Sequence, residues 1–221
     1  MNTDKEFDFF TISDFDSHIE KSIPGYRQLI DNIESLSTHI LTKHSKFLDV
    51  GTSTGKLPNI INSKIGCLCY GIDNSENLIN QGKYENVIYI NDDICEYDYV
   101  HKYDMITILF TLQFLSIDKR KFILKKLYDS LSNFGALIIA EKFYCKTSKL
   151  QDMFTFSYYD FKRKNFTCDE ILKKEYDIRN KMNLVTIDTL MNELIEIGFC
   201  IKNIECFWAN YQFSAFIAIK Q

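Results

Sequence analysis

Five short, almost unbroken apolar runs divide the first two thirds of this chain: Lys46 to Val50, Cys67 to Ile72, Val87 to Ile90, Tyr103 to Phe110 and Gly135 to Ala140. A strand with one wet face alternates in polarity, whereas a near-continuous apolar run marks a strand covered on both faces, as in a parallel sheet. The segments between the runs carry the helix period instead. Tyr26 to Leu41 sets Leu29, Ile30, Ile33, Leu36 and Ile40 on one face, Leu57 to Ile61 resumes an apolar segment, and Ser116 to Leu131 offers Ile117, Leu124, Leu127, Tyr128 and Leu131 for burial. Strand and helix in alternation predict a doubly wound α/β domain. Beyond Phe143 the rhythm breaks. Residues 144–185 read as helical, a helix follows at Ile187 to Ile197, and two strand-like runs, Ile201 to Trp208 and Phe213 to Ile219, close the chain as an antiparallel pair.

At 221 residues with 46% hydrophobic side chains, the chain reads as one domain over 1–221, with an N-terminal helical cover at 1–45 and a helical lid inserted at 144–185. With only 2 Pro and 8 Gly it has no linker. Lys+Arg 26 against Asp+Glu 30 leaves a net charge of −4, so direct nucleic-acid binding is not expected, and the clusters Lys119-Arg120-Lys121 and Lys162-Arg163-Lys164 read as local features, the first as a solvated helix face. The acidic N-terminus lacks the pattern of an export signal, and the longest apolar stretch, Met105 to Phe110, is far short of a membrane span. A cytoplasmic protein is expected. The seven cysteines have no CxxC spacing and read as buried reduced thiols; His18, His39, His44 and His101 have no zinc spacing, so no metal is expected.

In open α/β sheets ligands bind beyond the carboxyl ends of the strands, which here are followed by small and polar residues. Gly51 and Gly55 flank Thr52-Ser53-Thr54, so backbone N–H groups can approach a ligand at a helix N-terminus. Two of the three glycines of GxGxxG are present, and the Lys-Ser/Thr ending of a triphosphate loop is not. Asp73, about 20 residues past Gly51, suits two ribose hydroxyls, and Asp93 with the N–H of Ile94 suits an adenine amino group. Either acid could equally cap the turn that follows it.

Gly-loop, ribose acid, third-strand acid and terminal hairpin together resemble a class I S-adenosylmethionine-dependent methyltransferase: a Rossmann-like fold with a seven-stranded, mostly parallel sheet and an antiparallel C-terminal hairpin. A narrower resemblance rests on SIPGY (Ser22 to Tyr26), GIDNS (Gly71 to Ser75), FTLQFL (Phe110 to Leu115), GALIIAEKF (Gly135 to Phe143) and DFKR (Asp160 to Arg163). From about Phe7 to Lys220 the chain is similar to the carboxy-S-adenosylmethionine synthases. These convert S-adenosylmethionine and prephenate into carboxy-S-adenosylmethionine and phenylpyruvate, for tRNA wobble-uridine modification. The resemblance implies cofactor contacts at Tyr26, Gly51, Thr52, Ser53, Asp73, Asn74, Asp93 and Ile94. Two positions depart from it: Leu109 stands where the family has Asn, and Glu175 where it has the Arg that pairs with the added carboxylate.

An unpaired buried carboxylate costs several kcal/mol, and Glu175 would repel it. Lys174, Arg163 or Arg179 could supply a cation, although Lys does not reproduce a bidentate Arg. Methyl transfer to a small-molecule or peptide acceptor is therefore expected ahead of carboxy-donor synthesis, with a non-catalytic nucleotide sensor as the reading from another class. Candidate bases are Tyr158, Tyr159 and Glu141, the last readable also as half of a solvated pair with Lys142. Gln113 either orients a substrate or caps a turn. Phe154, Tyr158 and Phe161 share a helix face, read first as core. The sequence leaves a homodimer open.

Overall fold

The computed structural model describes residues 14–221. Residues 1–13, which hold the start of the resemblance at Phe7 and the first part of the expected cover, lie outside the described residues. Seven strands form one sheet: β1 (Lys46–Val50), β2 (Leu68–Asp73), β3 (Val87–Asn91), β4 (Tyr103–Leu109), β5 (Leu131–Lys142), β6 (Ile204–Asn210) and β7 (Phe213–Ile219). Their order is β3-β2-β1-β4-β5-β7-β6, with β1 to β5 parallel and β7 antiparallel to both neighbours. The helices are α1 (Phe15–Ser22), α2 (Tyr26–Ile40), α3 (Lys56–Ile65), α4 (Glu76–Gly82), α5 (Ile117–Ser130), α6 (Ser148–Lys162), α7 (Cys168–Arg179) and α8 (Ile187–Ile197). This is the sheet the apolar runs predict. Among the described residues, no helix is long and apolar enough to cross a membrane.

Successive strand residues feed two cores, because side chains alternate across a sheet. Leu48, Ile106, Ile108 and Leu137 pack with Leu124 and Leu127 of α5 and Leu190 and Leu194 of α8. Phe47, Met105 and Ile138 pack on the other face with Leu29 and Ile33 of α2 and Ile61 of α3. Each such fully buried side chain contributes about 1.5–3 kcal/mol.

Residues 144–185 form α6 and α7, and this excursion is tied at its base, where the N–H of Tyr144 donates to the carbonyl of Val185 at 2.9 Å. Other details differ from the sequence reading. Ile201–Asn203 is a 3-10 turn that delays β6 to Ile204, and Ile117 is exposed at the start of α5. Of the cysteines, Cys67, Cys69 and Cys95 are buried, whereas Cys168, Cys200 and Cys206 are exposed.

The middle of the first basic cluster is not solvated. Arg120 shares a helix face with Ile123, Leu124 and Leu127, and the same period that buries those residues carries it inside. Its Nη2 meets Glu193 Oε2 of α8 at 3.0 Å, with both side chains at most 3% exposed. Removing one partner strands the other charge. Arg120→Ala or Glu193→Ala is expected to cost about 3–5 kcal/mol in urea unfolding, while the apolar pair Arg120→Met with Glu193→Leu recovers most of that loss.

Candidate active site

A cavity of about 640 Å³ lies beyond the carboxyl ends of β1, β2 and β4 and extends to the end of β5, covered by residues of α1, α6 and α7. It opens where the strand order reverses between β1 and β4, and its wall begins with the loop after β1. Gly51, at φ +74°, turns the chain so that its N–H and that of Thr52 both donate to the carbonyl of Ile72, at 2.9 and 3.0 Å. A Cβ there would sit 2.2 Å from Thr111 Oγ1, so only glycine lets the first and fourth strand ends approach this closely. Gly51, Thr52 and Ser53 line the cavity as expected, and Gly55 does not. It holds φ +78° at the start of α3, where the Tyr89 hydroxyl, which donates to the Thr54 carbonyl, fills the space a Cβ would need.

Asp73 at the end of β2 accepts the N–H of Ser53 on Oδ2 and the N–H of Ser75 on Oδ1, both at 2.9 Å. Burial raises its pKa, and the two N–H groups oppose that shift. It is not the cap of α4, because Ser75 fills that position with its own hydroxyl accepting from Leu78. Asp73, Asn74, Asp93 and Ile94 all line the cavity; Asp93 also accepts the N–H of Cys95 at 2.8 Å. Tyr26 and Leu109 line it as well. Sequence reasoning passed over Asp49, which faces the same space. Its carboxylate accepts the Thr107 hydroxyl at 2.6 Å, and burial above all raises its pKa to about 6. An acid inside an apolar β1 run was the available signal.

Glu141 and Gln113 brace the end of β5 against the 3-10 turn at Leu112–Phe114. Glu141 Oε1 accepts the N–H of Leu112 at 3.0 Å, and Gln113 Oε1 accepts the N–H of Lys142 at 3.1 Å. Gln113 lines the cavity, but its side-chain oxygen serves the backbone. Glu141 is buried behind the turn and does not line the cavity, which removes it as a base facing substrate. Burial lifts its pKa to about 8, against the pull of Arg120 and of the N–H groups of Gln113, Leu112 and Thr111.

The wall at the β5 end is basic. Lys142, expected as half of a solvated pair, is mostly buried and lines the cavity, its Nζ 4.9 Å from the Tyr158 ring centroid and 5.8 Å from that of Phe213. Lys174 of α7 also lines it, with Nζ 2.6 Å from His18 Nε2 and 3.4 Å from Ser22 Oγ on α1. Burial and then the neighbouring charge of Lys162 lower Lys174 to about 7. Burial followed by the charge of Lys174 lowers His18 to about 4, so at neutral pH His18 accepts and Lys174 donates. Lys181 also lines the cavity, and so, at the start of α3, does Lys56, whose Nζ meets Glu20 Oε1 at 3.2 Å.

The other expected groups at this end fall elsewhere. Tyr158 does line the cavity, yet its hydroxyl donates to the Ser22 carbonyl at 3.0 Å and burial raises its pKa, the wrong direction for a base. Tyr159, Arg163, Glu175 and Arg179 do not line it. Arg163 is exposed and paired with Asp160, Arg179 is exposed, and Glu175 turns to Lys162 at 3.5 Å. Of the aromatic stripe, Phe154 packs with Tyr211 and Phe161 packs against the α2 core.

Residues 47–135 match a family model described as a methyltransferase domain. The carboxy-S-adenosyl-L-methionine synthase of Shewanella frigidimarina is 30% identical, over 99% of this chain and 93% of that protein. The enzyme of that name from Nautilia profundicola is 32% identical, over 97% and 94%. Among solved structures, magnesium protoporphyrin IX methyltransferase from Synechocystis, with bound SAH, superposes at a TM-score of 0.65 over 91% of this chain and 86% of that one, at 16% identity.

The buried Glu141 gives a pH signature. Its pKa is about 8 in the folded chain and about 4.3 when unfolded, so its contribution to stability is full below the unfolded value and is lost as pH rises through 8. Glu141→Gln keeps an oxygen for Leu112 and removes the ionisation. Urea unfolding is expected to find the variant within about 0.5 kcal/mol of wild type at pH 4 and ahead of it by more than about 1 kcal/mol at pH 9.

Proposed function

The chain belongs to the carboxy-S-adenosyl-L-methionine synthase family of class I S-adenosylmethionine-dependent transferases, and from that premise we propose that it carboxylates the methyl group of S-adenosylmethionine with prephenate as the carboxyl source. In the sequence alone, Glu175 favours methyl transfer. The observation that carries the opposite order is the pair of ammonium groups, Lys142 and Lys174, on the cavity wall, with Glu175 outside it and engaged by Lys162. Two lysines from separate elements would each bring one charged donor to the cavity, compensating the carboxylate by charge without the planar fork of a guanidinium.

The lining fits the nucleotide in chemical class. The Asp73 carboxylate, held by two N–H groups, keeps acceptor capacity for ribose hydroxyls; Asp93 and Ile94 flank the adenine position, and Tyr26, Thr52 and Asp49 face the remainder. The sulfonium supplies an acidified methyl carbon. In the overall change prephenate loses its carboxyl as carbon dioxide and its ring hydroxyl as hydroxide as the ring aromatises, and the methyl carbon gains the carboxyl and gives up one proton, which leaves with the hydroxide as water. Lys142 and Lys174 would hold the anionic groups in line and compensate the carboxylate as it forms. The covering helices α1, α6 and α7, the cover and lid of the sequence reading, would exclude water meanwhile. The product would serve as carboxymethyl donor for tRNA wobble-uridine modification elsewhere, so this chain itself need only take small molecules.

Incubation with S-adenosylmethionine and prephenate, read by mass spectrometry of the nucleotide, is expected to yield carboxy-S-adenosylmethionine. Methyl transfer without that product would overturn the reading. Asp73→Ala should abolish binding of both nucleotides, whereas Lys142→Met and Lys174→Met should each weaken carboxy-S-adenosylmethionine selectively, by about 10-fold or more, the worth of a charge-assisted hydrogen bond. Lys174, at about 7, must be protonated to hold a carboxylate. Affinity for the carboxylated nucleotide should therefore be flat below pH 7 and fall above it, while that for S-adenosylmethionine does not follow this group.

A further inference from the structure

We propose that Glu175 is a positioning residue that organises Lys142, Lys162 and Lys174 into one anion clamp, anchoring Lys162 beside Tyr158 and leaving the other two lysines to the cavity. The inference rests on the carboxylating reading and assigns a task to the residue that departs most sharply from the family pattern. The Tyr158 ring is fixed by its hydroxyl on the Ser22 carbonyl, and it has Lys142 at 4.9 Å and Lys162 at 5.1 Å from its centroid. Lys142 lines the cavity and Lys162, almost fully buried, does not; Glu175 lies 3.5 Å from Lys162 with only 16% of its side chain exposed.

Three ammonium groups so enclosed would shed protons without a counter-charge, because burial and mutual repulsion both disfavour the charged form. Glu175 is the group that raises Lys142, Lys162 and Lys174 against those effects. One carboxylate among three lysines still leaves the cluster net positive, and a bound anion completes it. An arginine at 175 would add a fourth positive charge to the same space. The other charged or titratable groups facing this cluster are Tyr158 and Tyr159 of α6, His18 and Lys21 of α1, and Arg179 of α7.

The discriminating measurement is the ratio of affinities for carboxy-S-adenosylmethionine and S-adenosylhomocysteine, by calorimetry from pH 6 to 9, in the 221-residue chain and its variants. Dividing by the second probe cancels effects on the nucleoside end. For Glu175→Gln the fall of this ratio is expected about one pH unit lower than in wild type, the effect of one lost opposite charge. The ratio should then be about 10-fold below wild type at pH 8.5 and within about 2-fold of it at pH 6, where Lys174 of the variant is still about half protonated and one repelling carboxylate is gone. Glu175→Asp should restore most of the wild-type profile. Lys162→Met should move the fall upward in pH, since one fewer cation faces Lys174, and it provides an independent reading should Glu175→Gln not fold. Equal weakening at every pH, or an unmoved profile, would overturn the role of Glu175 while leaving the carboxylating reading intact. A wild-type protein with no preference for the carboxylated probe at any pH would overturn both.

Discussion

The molecule depends on one constraint, the adjacency of β1 and β4 at the centre of a parallel sheet. The chain leaving β1 turns through α3 toward β2, and the chain leaving β4 turns through α5 toward β5, so the two connections part and leave a crevice that neither covers. Gly51 permits the narrow contact with Thr111 on which this meeting depends. Every cavity residue after β1, β2 and β4 owes its place to that divergence, and the Glu141 and Gln113 braces fix the fourth-strand turn from behind. Acidic groups gather on the β2 and β1 side, where Lys56 is paired with Glu20, while Lys142 and Lys174 stand at the end of β5 and on α7.

How much of this could be read from the sequence follows from the range of the forces involved. The sheet was legible because continuous apolar runs and the helix period are local patterns, and the seven strands fall close to where those patterns put them. Asp73 and the Gly51 loop were legible because a strand end followed by small polar residues has a fixed topological meaning. The basic wall was not. Lys142 beside Glu141 looks like a solvated pair in one dimension, and only the covering of the strand end by α6 and β7 makes its burial visible. Arg120 was misjudged for a similar reason: a basic triplet hides that its middle member shares a face with three core residues, opposite a glutamate far along the chain. Exposed Cys200, between Phe199 and Ile201, shows that apolar neighbours do not guarantee burial.

The meaning of Glu175 also changed between one dimension and three. Aligned against a family arginine, it reads as a repulsive charge in a carboxylate site. In the folded chain it faces Lys162, outside the lining, in a cluster where cations outnumber it. Charge at a position is thus a poor guide to charge at a site when long side chains from three elements converge. What matters is the sum within the enclosed volume and which members of it reach the open side.

The tie between Tyr144 and Val185 has a consequence for how this architecture can vary. Because both ends of the α6–α7 excursion leave the body at one point, closed by a backbone hydrogen bond and an isolated bridge from Tyr144 to Thr186, the sheet registers only the closure and not the contour length between. Loop-closure entropy grows with the logarithm of length, about 0.6 kcal/mol for each doubling, so residues can be gained or lost inside the excursion with little strain on strand pairing. The segment that furnishes Tyr158, Lys162, Lys174 and Glu175 is therefore the one most free to be rewritten, and chemistry at the cavity can diverge while the nucleotide-facing strand ends stay unchanged.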